Sequence, residues 1–563
     1  PGYYVKSIMV DDNELADKTF TVNGTHSIRA VFSVEEMTEA GSFHNGEGTE
    51  ENPYMIDNVA EWKYFVSRVN SGDDMSGKFV ALSNDIDFEG QTINPVGISK
   101  TAPFNGSFDG RMHTLKNLKM SLKNQQYAGI FGYNGGNISN VKLDNVSIES
   151  TYVGGTGYAG TVAGYNAGNI EYIAIQDKTF SVDAKGYSIA YIGGVTGYNS
   201  GTIKAAVSHS RASFDDQDTY PLRMLYIGGI SGYCDTNGEI LYCECDGPSW
   251  LHIYDASPAS RVYFGGIVGY TKGLIKDCIY AESVGAAHAE KALYAGSIAG
   301  YQAGGSIKNA YVYEPKYGSV ISGKTTDTYY GGIVGYQNSG TIDSCVSYQK
   351  CISMISVIEA NIGYIAAKSS GKISNCYYNS GQTYTSIGSI TKNGTATDAS
   401  NLMSKNFLAS IMDFDMVDVW EIGARPGVSN PTLREFRKMF GYKVSVDKEY
   451  KELVTLSDEW AYANTKVSVY AKDETKYVKA ILVDGVETPG NTIVVTGDCT
   501  IVPILGNKYK VTKVGDAVSC VTLDKQYAAP GEKVTATISN SLGEKDACLV
   551  VNGEPVFNNT LKV

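Results

Sequence analysis

GGIVGYQNSG, residues 331–340, is a phrase that the chain uses seven times. The other copies are GIFGYNGGN from 129, GTVAGYNAGN from 160, GGVTGYNSG from 193, GGISGYCDTNG from 228, GGIVGYTKG from 265 and GSIAGYQAGG from 296. With the glycine before the tyrosine as marker, the copies fall at Gly132, Gly164, Gly197, Gly232, Gly269, Gly300 and Gly335, and a degenerate eighth places Ala366 there. The intervals are 32, 33, 35, 37, 31, 35 and 31 residues. A period in this range marks a solenoid, a propeller or an array.

The content of each copy chooses among these. Two residues before the marker stand Ile130, Val162, Val195, Ile230, Ile267, Ile298 and Ile333, always β-branched, as an inward strand position requires. The next position mixes Phe131, Ala163, Thr196, Ser231, Val268, Ala299 and Val334, which predicts a less constrained face. A turn rich in Asn, Gly and Ser follows. A second strand then opens on Ile138, Ile170, Ile203, Ile240, Ile275, Ile307, Ile342 or Ile373. Three residues further, Val141, Ile173, Ala206, Cys243, Cys278, Ala310, Cys345 and Cys376 form a column of small and medium apolar groups. The cysteines read as core filler. A disulfide ladder joining Cys243 to Cys278 or Cys345 to Cys376 is the alternative, since stacked coils lie about 4.8 Å apart.

Short strands without helical periodicity between them predict an all-β fold, a right-handed parallel β-helix (solenoid) with short capping helices, flanked by small β modules. A propeller blade needs four strands in a longer repeat and ranks second. Eight stacked copies would span about 40 Å. The marker tyrosines (Tyr133, Tyr165, Tyr198, Tyr233, Tyr270, Tyr301, Tyr336) and a second column six residues before the marker (Tyr158, Tyr191, Tyr226, Tyr263, Tyr294, Tyr329) then become ladders that hold the coils in register. The second column is also the candidate ligand-binding strip, for sugar or protein.

The copies resemble the GLUG motif. The upstream phrase Phe108, Asp109, Gly110, His113, Leu115 and Leu118 resembles the opening of such regions, and VWEIGARPGVSNPTL (419–433), with Trp420 and Pro431, resembles their exit. The resemblance covers roughly residues 50–436. It implies an extracellular, surface-attached β-helical scaffold of the kind found in adhesins and in the non-catalytic part of IgA-specific metallopeptidases, and it implies no single chemistry.

Residues 2–32 resemble the second half of a small all-β bacterial surface repeat, residues 441–505 a complete copy, and the stretch from 508 a further copy that stops short at NNTLKV. The expected organisation is a half repeat (1–40), an N-terminal cap with the first coils (41–120), the repeat β-helix (121–395), a C-terminal helical cap (396–440), a small β repeat (441–505) and a second, truncated one (506–563). On this reading the chain is a piece of a longer protein. VAEWKYFVSRVN (59–70) reads as a helix with Trp62, Phe65, Val66 and Val69 on one face. DASNLMSKNFLASIM (398–412) reads as a single helix, capped by Asp398 or Ser400, that closes the C-terminal end of the solenoid.

Composition narrows the function. The net charge of −13 has no basic stripe to offset it, which argues against a nucleic-acid partner. No apolar run is long enough to insert in a membrane. The first residues lack the order of a signal peptide. Ten cysteines in 563 residues do not make a disulfide-dense scaffold, and none stands in C-x-x-C spacing. None of the six histidines is followed by Glu, so H-E-x-x-H is absent. GSVISGKT (318–325) matches a phosphate loop, but a strand follows where a helix is needed. DIDFEG (85–90) matches half a calcium loop, but Val96 stands in place of the bidentate Glu, so Asp85 and Asp87 read as turn pins. DDQD (215–218) is a loop cluster of weak metal potential, and Asp109, Arg111 and His113 belong to the opening phrase. The expectation is a non-catalytic, monomeric cell-surface scaffold or adhesin-type fragment of a secreted bacterial protein. It needs no cofactor or metal, and its partner is a surface protein or glycan of host or bacterium. The alternatives are a glycan-binding or carbohydrate-active β-helix and a spacer of a large surface peptidase.

Overall fold

The computed structural model describes residues 3–10, 13–14, 27–34, 42–176, 181–182, 185–209, 213–214, 222–246, 259–282, 285–286, 289–313, 319–322, 327–349, 351–355, 360–385, 389–423, 430–513, 521–538, 549–551, 554–556 and 560–562. The DDQD cluster, half of GSVISGKT (318 and 323–325), and Cys520 and Cys548 lie outside them.

The repeat folds into a parallel β-solenoid. Each copy is one coil, and like positions pair directly with like positions in the next coil. In the first face Tyr158 pairs with Tyr191, Tyr191 with Tyr226 and Tyr226 with Tyr263, all parallel. In the second face Tyr133, Tyr165, Tyr198, Tyr233, Tyr270, Tyr301 and Tyr336 follow one another, ending on Lys368. In the third face the opening isoleucines align from Ile138 to Ile373. That face also continues upstream through Ser107–Asp109, Phe79–Leu82 and Tyr54–Ile56.

Glycine recurs because the backbones touch at the bend between the first two faces. A Cβ on Gly228 would lie 2.1 Å from the Ser231 carbonyl oxygen, and one on Gly232 would lie 2.6 Å from the Ile192 nitrogen of the preceding coil. A second device sits in the third face. Asn140, Tyr172, Ala205, Tyr242, Asp277, Asn309, Ser344 and Asn375 all have φ between 48° and 56°. This left-handed residue turns the chain so that the Ile before it and the small residue after it, three apart, both point into the core.

The core runs without a break from Ile56 to Tyr378. Cys243, Cys278, Cys345 and Cys376 are unpaired thiols inside it, as filler requires. One expectation fails here. The register pairs Val334 with Ala366, so the eighth marker position is Ala367 and not Ala366, and the position before the marker is fully buried in every coil, from Phe131 to Val334. It is the first inward position of the second face, immediately after the bend that buries the preceding Ile or Val, so two neighbours point inward and strict alternation breaks. Its polar members are satisfied internally: the Thr196 hydroxyl donates to Ser231 Oγ at 3.0 Å, and Ser231 donates to the Tyr233 carbonyl at 2.9 Å.

Helix α1 spans Val59–Asn70 as expected, with Asn58 accepting from the Glu61 N–H at its start. Trp62 and Phe65 pack edge-on against Phe88, Phe104 and Phe108 and fill the N-terminal end of the core.

The C-terminal segment departs from the expected single capping helix. It breaks into α2 (Ala399–Leu402) and α3 (Lys405–Ser410) because Ser404 turns its hydroxyl to the Phe407 N–H and starts a new helix. Its apolar side chains Leu402, Leu408, Met412, Phe414 and Trp420 pack against Ala174, Val207, Ile279, Tyr311 and Val346, on the flank of successive coils rather than over the last coil. Beyond it, Tyr442–Val446, Lys466–Ala471, Lys476–Val483, Thr492–Val494 and Cys499–Asn507 belong to a separate β module around Val444, Val467, Ile481 and Ile501. At the other end Tyr3–Val10 pairs antiparallel with Ile28–Val34.

Candidate functional site

The six tyrosines named as a ligand strip form one of two interlocked ladders. Tyr158 stacks on Tyr191 at 5.3 Å between centroids, Tyr191 on Tyr226 at 4.6 Å and Tyr226 on Tyr263 at 4.7 Å. Tyr263 stacks on Tyr294 at 5.1 Å and Tyr294 on Tyr329 at 5.5 Å. The marker tyrosines make the second ladder, with steps such as 4.7 Å from Tyr198 to Tyr233. Between the ladders the rings meet edge to face at 78° to 88°.

Ring contact distance explains both angles. Ring faces touch at about 3.5 Å, so a step of 4.7 Å forces each ring to tilt by about 42° from the stacking direction. Two columns tilted in opposite senses then meet at about twice that angle, near 84°, as observed between Tyr263 and Tyr270. The coil spacing thus produces a herringbone in which each ring covers the faces of its neighbours. What points outward is ring edge and hydroxyl.

The environment is apolar. Burial pushes Tyr158, Tyr233 and Tyr294 up to about 12, and raises Tyr191, Tyr198 and Tyr226 as well. Tyr198 donates to Asp235 at 2.8 Å, and Lys368 closes the far end, its ammonium 5.1 Å from the Tyr336 ring centre.

Three features escaped the sequence reading. Tyr127 heads the first ladder, paired with Tyr158; it stands five residues before its marker instead of six, and the phrase YAG that it shares with 158–160 was the available signal. Behind the marker tyrosines runs a buried polar column: Asn134 donates to Asn166 at 2.7 Å and Asn166 to Asn199 at 2.8 Å, and Cys234, Thr271, Gln302 and Gln337 continue it. His44, Asp57 and Glu61 also converge. His44 Nδ1 is 2.8 Å from Glu61 and its Nε2 is 3.9 Å from Asp57. These three could hold a metal ion. Glu61 is buried, which raises its pKa, and it accepts from the His44 and Asp57 amides, so its first task is to fasten the incoming chain to α1. The signal was N-x-x-E at 58–61.

The acids tested in the sequence are turn pins. Asp85 accepts from the Thr114 amide at 2.8 Å, Asp87 from the Glu89 amide at 2.8 Å and Asn117 at 2.9 Å, and Asp109 from the Arg111 amide at 2.8 Å and Asn140 at 2.9 Å. His113 leans on Asp85 at 3.4 Å. Among the described residues no helix is long and apolar enough to cross a membrane.

Fold and face together define a parallel β-solenoid with a self-stacked aromatic flank. No family model matches the chain. It is similar to Halomucin of Haloquadratum walsbyi, 26% identical over 170 residues, which is 29% of this chain and 2% of that protein. It is also similar to a protein of Evansella cellulosilytica described as a "putative Gly-rich membrane protein", 24% identical over 153 residues, 26% of this chain and 17% of that protein. The chain therefore corresponds to a small part of each curated relative. A solved structure described as "a putative immunoglobulin A1 protease from Bacteroides ovatus" shares 20% identity at a TM-score of 0.33, over 70% of this chain and 95% of that one.

Proposed function

We propose that the chain is a non-catalytic scaffold segment of a larger secreted, surface-attached protein, adhesin-like in use. The observation that carries this reading is the herringbone: the most repeated side chains of the sequence are committed to one another, at 4.6–5.5 Å along the stack. A ladder of this kind makes a rod of fixed register, which is what a spacer or display arm requires. The names of the relatives, a mucin and a Gly-rich membrane protein, agree with a place at the cell surface, as does the GLUG resemblance.

The rival reading, a glycan-binding strip at Tyr158, Tyr191, Tyr226, Tyr263, Tyr294 and Tyr329, is weaker. A sugar stacks on an open ring face, and within the columns these faces are covered by the next tyrosine. Two measurements test the proposal. Antibody against the chain is expected to label intact cells. Incubation with polysaccharide and peptide panels, read by mass spectrometry, is expected to give no product. Turnover that disappears with one side-chain replacement would overturn the scaffold reading, and saturable binding abolished by Tyr158→Ala but not Tyr133→Ala would establish the rival.

A further inference from the structure

The flank segment has a direction. It leaves the eighth coil, where Phe407 stacks edge-on against Tyr377 at 5.0 Å and Asn375 donates to the Ile411 carbonyl at 3.1 Å. Beside the sixth coil, Lys308 pairs with Asp413 at 3.7 Å and Tyr311 donates to the Leu402 carbonyl at 3.1 Å. At the fifth, buried Trp420 donates to Asp277 at 2.8 Å. At the second, Tyr172 donates to Glu435 at 2.8 Å, and Lys438 reaches both at 3.0 Å. Residues 398–423 and 430–440 therefore run back along the solenoid, against the direction in which the coils were laid down. The β module that starts at Tyr442 departs beside the second coil, six coils and about 29 Å short of the eighth.

The incoming chain is held at the same end. The His44 amide donates to Glu61 of α1, and α1 plugs the N-terminal coils. Entry and exit thus lie within four rungs of each other, about 19 Å along the axis, and coils three to eight stand off to the side.

We propose that residues 398–440 are a return strap that takes coils three to eight out of the load path between the flanking modules. Tension on the chain enters at α1 and leaves at Gly441. It loads the anchor at Tyr172, Glu435 and Lys438 before it can reach any outer coil. The outer coils become a spur displayed from a tensioned stalk, and they unwind only after the strap has been peeled from the second coil toward the eighth. The inference deepens the scaffold reading. Catalytic turnover would end that reading and leave the strap intact, whereas coils that open first would end the strap and leave the scaffold.

The test stretches single full-length molecules by tags at their two ends. The first solenoid event is expected to release the strap, about 40 residues or ~140 Å of chain. Steps of one coil follow. Tyr172→Phe keeps the ring and removes the hydroxyl shared with two charged groups, and it is expected to raise the strap-release rate at zero force about tenfold, with the later steps unchanged. A first step of one coil, insensitive both to Tyr172→Phe and to Trp420→Phe, would overturn the proposal. An independent check uses spin labels at exposed Lys443, Asn137 and Lys372. The pair 443–137 is expected to be clearly shorter than 443–372, and equal distances would refute the return path.

Discussion

Tyr226→Ala tests the herringbone at its centre. Tyr226 is 7% exposed. Its ring stacks on Tyr191 at 4.6 Å and Tyr263 at 4.7 Å, and meets Tyr233 and Tyr270 edge-on at 5.8 and 5.7 Å. Truncating a buried aromatic costs about 3–5 kcal/mol, and each of four lost ring contacts accounts for about 0.5–1.5 kcal/mol beyond burial. Stability in a solenoid is a sum of coil and nearest-neighbour terms, so the loss should be local to coils three to five. Hydrogen exchange read by mass spectrometry is the assay: amides there are expected to exchange about a hundredfold to a few thousandfold faster, with α1 unchanged. Tyr226→Phe should be nearly silent, because the hydroxyl donates to the Met224 sulfur, a weak acceptor, at 3.2 Å. Coupling decides the cause. Tyr226→Ala with Tyr263→Ala should be non-additive by about 0.5–1.5 kcal/mol, whereas Tyr226→Ala with Tyr329→Ala, three coils apart and with no ring neighbour in common, should add within about 0.5 kcal/mol. Equal coupling in both pairs would show that burial alone, and not ring stacking, holds the ladder.

Four further outcomes are expected. Stability should fall as pH rises from about 9 toward 12: the folded state keeps protons on Cys278 and Cys345 that the unfolded chain releases near 9, and on Tyr158, Tyr233 and Tyr294 that it releases near 10, so unfolding gains favour across that window; absorbance of phenolate during alkaline titration checks the tyrosine part. Trp420→Phe leaves Asp277 without the indole donor in a buried site and should cost about 1.5–3 kcal/mol, read as faster exchange in the strap. Burial pushes the Cys278 and Cys345 thiols well up, so they should resist a thiol reagent in the native chain and react once it is unfolded; an intact mass lower by two hydrogens per pair would instead reveal inter-coil disulfides. One residue inserted between Ala205 and Ala206 should unstack the third face, whereas one residue inserted between exposed Thr236 and Asn237, in the turn where coils already differ in length, should cost only a few tenths of a kcal/mol in loop entropy; melting of both variants compares them.

The solenoid was legible because its period survives in side chains that do one job each: the tyrosines outside, the isoleucines and the small column inside. The bounds of α1 were legible for a similar reason, since Trp62, Phe65, Val66 and Val69 lie on one face and Asn58 marks the start. What stayed hidden shares a different trait. The buried polar column mixes Asn134, Cys234, Thr271 and Gln302, groups of unlike class that fill one slot, so no single letter recurs. The inward position before the marker was masked by the bend that puts two neighbours on one side. The strap was hidden because an amphipathic segment looks the same whether its apolar face covers the end of a solenoid or its flank; contacts far apart in sequence, such as Trp420 on Asp277 and Tyr172 on Glu435, distinguish the two. Tyr127 was lost to a single missing residue.

Coil lengths vary from 31 to 37 residues, yet two short distances hardly move. From the opening Ile to the core column the spacing is three in all eight copies, and from Tyr158 to Tyr329 the ladder tyrosine stands six before its marker each time. Both are places where geometry leaves no slack. In the first, a left-handed residue such as Asn309, at φ 52°, turns two side chains inward, and one more residue would carry the second to the outer face. In the second, Gly232 lets the bend press against the preceding coil and Gly228 against the following one, at the spot where the two tyrosine columns must keep their mutual tilt. Closest backbone approach and outer ladder therefore coincide in one decapeptide. That coincidence is why the Gly–Tyr phrase is the part of each coil that the chain repeats most faithfully.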